Sequence, residues 1–131
     1  MKTKLCLLSA AILAFALCRV AVSQDMQTPD QYCQIAEIEI DPAQLEQYKA
    51  AVKEHIETAV RVEPGVLMLY ALSDKDNPTH IRVFEIYASE EAYKAHLNAP
   101  HFKKYKAVTQ NMVQSLKLIK VAPVAFAAKP K

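Results

Sequence analysis

Glycine is almost missing from this chain: Gly65 is the only one in 131 residues. That excludes GxGxxG and the P-loop alike, because both need several glycines for backbone to approach phosphate. A Rossmann-type nucleotide site is accordingly not expected. Neither CxxC nor HExxH, two common metal-ligand spacings, is present. Cysteine is scarce too. Of three, Cys6 and Cys18 lie in the first 23 residues, which leaves Cys33 without an internal disulfide partner. Cys33 reads as a strand residue, with pairing between chains as the alternative.

The first 23 residues have the pattern of a secretory signal peptide. Lys2 and Lys4 precede an apolar run from Leu5 to Leu17, and Ala21-Val22-Ser23 supplies small residues for cleavage. The run is shorter than the ~20 residues of a spanning helix. A lipid anchor at Cys18 is disfavoured by the bulky Leu17 before it. Cleavage after Ser23 removes three basic residues and no acid, so the net charge moves from +2 to −1 and 108 residues remain. No basic field is left to attract nucleic acid. The expectation is one periplasmic or secreted domain without a membrane span: a flexible segment over 24–33, a folded domain over 34–122 and a loose tail over 123–131.

Hydrophobic periodicity gives the element order. Residues 33–40, CQIAEIEI, alternate as a strand with Ala36, Ile38 and Ile40 on one face. DPAQ opens a helix with Asp41 as N-cap, Pro42 in the first turn and Gln44 completing a capping box. Leu45, Tyr48, Val52, His55, Ile56 and Ala59 form its buried stripe to about Val62, where Pro64 and Gly65 stop it. VLMLYAL, apolar on both faces, reads as a fully covered strand. HIRVFEIY alternates again, and the short loop between them predicts an antiparallel hairpin. Ser89 caps the next helix, Pro100 breaks it, and a second helical piece runs from His101 to about Met112. SLKLIKV is the last strand. The order β-α-β-β-α-β is the ferredoxin-like α+β arrangement, four antiparallel strands with helices on one face. The other sheet face also carries apolar residues, which predicts a homodimer joined sheet to sheet.

EPGVLMLYAL, NPTHIRVFEIYASEEAYKAHLNAPHFKKYK and SLKLI resemble the antibiotic biosynthesis monooxygenase family, in particular its small members of quinol monooxygenase type. The resemblance spans roughly residues 34–122 and is most specific from Glu85 to Tyr105. It implies a dimeric α+β barrel with a pocket between sheet and helices. It also implies oxidation of a small aromatic substrate, phenolic or hydroquinone-like, by O2 with no metal, flavin or haem. Other members are isomerases, haem degraders or proteins without an assigned role, so the resemblance speaks more for fold than for reaction. The haem-degrading pattern has Asn on the first strand, Trp on the third and His on the second helix. Only His96 matches here, which argues against haem degradation.

His96 sits on the inner side of its helix, between Tyr93 and Leu97. It is either a packed histidine or, as the resemblance favours, a base able to take a phenolic proton. His55 occupies the first helix's stripe and either faces the same cavity or reaches solvent at the helix edge. Tyr70 and Glu85 lie on adjacent strands, and one residue of register decides which face each takes. Inward, Tyr70 would donate a hydrogen bond to substrate and Glu85 would orient a histidine; outward, Glu85 would join the dimer interface. Tyr93, His101, Phe102, Tyr105 and Met112 complete the expected pocket, with capping or solvent exposure as the alternative for His101. His80 reads as exposed, and the lysines at 103, 104 and 106 as a solvated face. His96 and His101 are five apart across a break with no carboxylate at a familiar spacing, so no metal site is expected. The leading expectation is a cofactor-independent monooxygenase. A non-catalytic dimeric binding module and an isomerase of the same fold are the alternatives.

Overall fold

The computed structural model describes residues 30–129. The expected signal peptide over 1–23, and residues 24–29 after it, lie outside the described residues. The elements are β1 (Tyr32–Ile40), α1 (Leu45–Val62), β2 (Val66–Ser73), β3 (His80–Tyr87), α2 (Glu90–Asn98), α3 (Pro100–Thr109) and β4 (Val113–Val121). The strands form one antiparallel sheet in the order β2-β3-β1-β4. This is the expected ferredoxin-like α+β fold. No helix among the described residues is long and apolar enough to cross a membrane.

Local chemistry explains most boundaries. Asp41 accepts a hydrogen bond from Ala43 N at 2.9 Å and caps a 3-10 turn, Pro42–Gln44, that leads into α1. The reciprocal half of the expected capping box does not form. Asp41 N donates instead to Met112 O at 2.9 Å, and Gln44 Nε2 turns to Asp41 Oδ2 and Asn111 O. Ser89 caps α2 by accepting from Ala92 N at 3.1 Å. Ala99, next to Pro100, is extended (φ −65°, ψ 142°), as a residue before proline prefers. That bend re-aims the chain between α2 and α3.

Gly65 is needed for close approach. A Cβ placed there would lie 2.6 Å from the Ala92 Cβ of α2. Its carbonyl also accepts from Ala88 N at 2.9 Å, which ties the start of β2 to the end of β3.

Two apolar clusters fill the space between sheet and helices. Ala36, Ile38, Ile40, Tyr48, Val52, Ile81 and Val83 form one; Ala59, Val66, Leu69 and Tyr87 form the other. The β1 alternation is as expected. Two other expectations are corrected. Tyr32 and Cys33 belong to β1, paired with Tyr87 and Ile86, and are not part of a flexible segment. The strand β2 is an edge rather than a covered strand, and Leu67, Tyr70 and Leu72 are exposed.

Candidate active site

A cavity of about 270 Å³ lies between the sheet and the helices. Ala36, Val83 and Glu85 form its floor; His55, His96, Phe102 and Tyr105 reach it from the three helices. It opens along edge strand β4, where Leu116 and Leu118 line it yet remain 46% and 51% exposed. The lining is mostly apolar with a few converging polar groups, as small-molecule sites are. A larger hollow of about 440 Å³ lies between α1 and β2. It is a shallow groove bordered by solvated lysines, so the smaller cavity is the better candidate.

His96, 2% exposed, is fixed by a carboxylate. Its Nδ1 lies 2.8 Å from Glu63 Oε1, and the same oxygen is 2.6 Å from His101 Nε2. A carboxylate can only accept, so both ring nitrogens donate to it. In the neutral His96 ring this puts the proton on Nδ1 and a lone pair on Nε2. Burial pushes the His96 pKa below its usual value, and the hydrogen bond to Glu63 opposes that shift. Glu63 reaches this position because it is the C-cap of α1 and precedes Pro64. Its extended backbone (φ −105°, ψ 107°) ends the helix there.

His55 is 7% exposed and stacks on Tyr105, with ring centroids 4.7 Å apart and planes 13° from parallel. Its ring centroid is 5.1 Å from that of His96. Burial, then the nearby His96 and His101, lower its pKa to about 3, so it is neutral near pH 7. Its buried Nδ1 has no hydrogen-bond partner among the described residues. Tyr105 in turn shares a 2.8 Å hydrogen bond with the buried Tyr48 hydroxyl.

Glu85 holds a second polar group on the cavity floor. Gln34 Nε2 and the Tyr87 hydroxyl donate to its Oε2 at 2.8 and 2.7 Å. Burial raises the Glu85 pKa, and these two bonds oppose the rise. Tyr93 stacks on Tyr32 at 4.4 Å and closes this end.

The structure therefore brings His55, Glu85, Tyr93, His96, Phe102 and Tyr105 to one cavity. Three expected residues lie elsewhere. Tyr70 is 59% exposed on the opposite face of the sheet, because a bulge between Val66 and Met68 shifts the register and inverts the alternation. His101 lies behind Glu63 and lines a separate cleft of about 50 Å³ between α1 and α3. Met112 falls outside α3, which ends at Thr109, and packs on the core cluster beside α1.

Sequence reasoning missed Glu63, Gln34 and Tyr87. Each had a positional signal. Glu63 continues the buried stripe 48, 52, 55, 59 by four more residues. Gln34 precedes Ala36 by two on the inward face, and Tyr87 follows Glu85 by two. The missing carboxylate for His96 and His101 is thus supplied from another helix. Glu63, His96 and His101 offer one oxygen and two nitrogens, all within 4.8 Å of one another, and among the described residues they are a group that could hold a metal ion.

A family model described as antibiotic biosynthesis monooxygenase matches residues 19–108. A solved structure from Bacteroides thetaiotaomicron carrying the same family description is 48% identical, with a TM-score of 0.75 over 79% of this chain and 98% of that one. A monooxygenase-described structure from Lactobacillus acidophilus is 30% identical, with a TM-score of 0.68 over 73% of this chain; the chain spans 45% of that longer protein. A structure from Nitrosomonas europaea, at 21% identity and a TM-score of 0.69, shares the fold over 72% of this chain and 91% of that one. No curated protein matches the chain.

Proposed function

The chain belongs to the antibiotic biosynthesis monooxygenase family, and on that premise we propose that it oxidises a small phenolic or hydroquinone-type substrate with O2, with His96 as the base. The observation that carries this reading is the Glu63–His96 hydrogen bond. It puts the lone pair of a cavity-lining imidazole on Nε2, the arrangement a general base needs.

In the reaction, His96 Nε2 takes a phenolic proton. The phenolate passes one electron to O2, and the resulting radical and superoxide combine at a ring carbon. The peroxide takes a proton back from the His96 imidazolium and loses water, which leaves one oxygen on the ring. The substrate supplies all the electrons, so a hydroquinone and O2 become a hydroxyquinone and water. The apolar walls exclude bulk water, and fixed polar groups stabilise the developing charge better than solvent would. The hydroxyl of Tyr87, held on Glu85, and the His55 ring border the same space. The cavity lies near the roughly 300 Å³ lower limit of ordinary ligand sites, which suits a one- or two-ring compound.

The same reading includes a homodimer. The sheet face away from the helices carries Ile35, Met68, Tyr70, Leu72 and Phe84 in register across three strands. Packing this face against a second copy would cover the exposed Tyr70 and Leu72. Export by the N-terminal leader belongs to the proposal as well, and puts the reaction in the periplasm or outside the cell.

The test is oxygen uptake by metal-stripped protein across a panel of hydroquinones, with product mass read alongside. Uptake above the autoxidation blank, with oxygen on the ring and loss in His96→Ala, supports the oxygenase. Ligand-induced thermal stabilisation without uptake would instead indicate a binding module, and a rearranged product of unchanged mass an isomerase.

A further inference from the structure

We propose that Glu63, His96 and His101 form a site for a divalent transition-metal ion, and that an ion bound there switches the base off. The donor set is two imidazole nitrogens from α2 and α3 and one carboxylate oxygen from the C-cap of α1. Imidazole selects zinc, copper, nickel, cobalt or ferrous ions over calcium and magnesium, which prefer all-oxygen shells. Three protein ligands with one position left for water or a small ligand is the pattern of exchangeable rather than closed structural sites.

The spacing is close to what an ion needs. Glu63 Oε1 now lies 2.8 Å from His96 Nδ1 and 2.6 Å from His101 Nε2. Ligand bonds of about 2.0–2.2 Å at tetrahedral angles put neighbouring donor atoms roughly 3.4 Å apart. The two gaps to Glu63 must therefore open by less than about 1 Å, and the His96–His101 pair, within 4.8 Å, must settle at the same spacing. All three groups sit in a partly dehydrated pocket: their side chains are 3%, 15% and 16% exposed for His96, His101 and Glu63. The carboxylate also supplies the negative charge that offsets the ion's.

Binding would change the chemistry of His96 through its tautomer. In the metal-free state Nδ1 carries the proton and Nε2 the lone pair. An ion on Nδ1 moves the proton to Nε2, and His101 makes the reverse exchange. Neither ring gains or loses a proton overall. His96 then presents a donor to the cavity where the reaction needs an acceptor. The inhibitory half of this proposal rests on His96 being the base; the binding site does not.

The experiment uses the mature protein, stripped with chelator and titrated with Zn2+ or Co2+. Equilibrium dialysis should show one ion per chain, and Co2+ should give the visible absorption of a low-coordinate nitrogen and oxygen site. Glu63→Gln and His101→Gln, each checked for folding by near-UV circular dichroism, should lose both signals. No stoichiometric binding by wild type, or binding unchanged in both variants, would overturn the site. Oxygen uptake on a panel hydroquinone should fall in step with occupancy and return with chelator. Uptake unaffected at full occupancy, or uptake that requires the ion, would overturn the switch. Absence of uptake by the metal-free and the ion-loaded protein alike would overturn the oxygenase reading itself, and the dialysis result would still decide the site.

Discussion

His55 stacks face to face on Tyr105 while its buried Nδ1 goes without a hydrogen bond among the described residues. A packed aromatic ring is satisfied there, and an imidazole is not. Leaving a buried polar atom unpaired costs about 1–3 kcal/mol. His55→Phe keeps the stack and removes the orphan. It should raise stability by about 1 kcal/mol, measured by urea unfolding at pH 7, and lower oxygen uptake if the ring nitrogens contact substrate.

Acid should destabilise the protein early. His55 titrates near 6.5 when unfolded and at about 3 when folded. Between these values the unfolded chain binds a proton that the native state refuses. Stability is therefore full above the unfolded value and falls as pH drops from about 6.5 towards 3, by up to about 1.4 kcal/mol per pH unit. His96, also shifted down by burial, adds to the same slope. Unfolding free energies in metal-free buffer at pH 7, 5.5 and 4.5 test this, and His55→Phe should flatten the curve.

The base and its support should separate kinetically. Loss of a general base costs about 10²–10⁴-fold in rate. His96→Ala should show that loss in kcat with little change in KM. Glu63→Gln should give a smaller loss of kcat, because the amide can present either its oxygen or its NH2 to Nδ1 and no longer imposes one tautomer. Steady-state oxygen uptake on the same hydroquinone decides. A KM effect with kcat unchanged would make both residues binding groups only.

Tyr70 should be irrelevant to chemistry and important to assembly. Tyr70→Phe should leave oxygen uptake unchanged, since the side chain lies on the far face of the sheet from the cavity. Tyr70→Glu with Leu72→Glu should shift the protein from dimer to monomer by light scattering after gel filtration. A wild-type monomer would sink the sheet-to-sheet arrangement.

Gly65→Ala should destabilise by about 1–3 kcal/mol, the usual cost of overpacking a tight contact. The added methyl meets the Ala92 Cβ at 2.6 Å. Gly65→Ala combined with Ala92→Gly should recover part of the loss in thermal melts.

The helices and strands were legible because their signals are local. Asp41, Ser89 and Pro100 act on their own turns, and burial alternates from Gln34 to Ile40 in β1 and from His80 to Val83 in β3. The failures came where locality ends. Met112 matched the helical spacing of Tyr105 and Val108, yet the chain had already left α3 and turned, with Met112 N bonded to Thr109 O. Tyr70 was misplaced by a bulge three residues upstream, which no apolar count reveals in a strand that is apolar on both faces.

The order and type of the elements, the inward face of β1 and the placing of His96 on the inner side of its helix were determined by the sequence alone, through propensity and periodicity; His55 was left between cavity and solvent. The tertiary structure decided which groups meet. Glu63 comes from the end of α1, His96 from α2 and His101 from α3, and only the Pro64 and Pro100 bends bring their polar atoms within hydrogen-bonding distance. Spacing along a chain describes contacts within one element; a site built from the ends of three helices depends on how those helices pack.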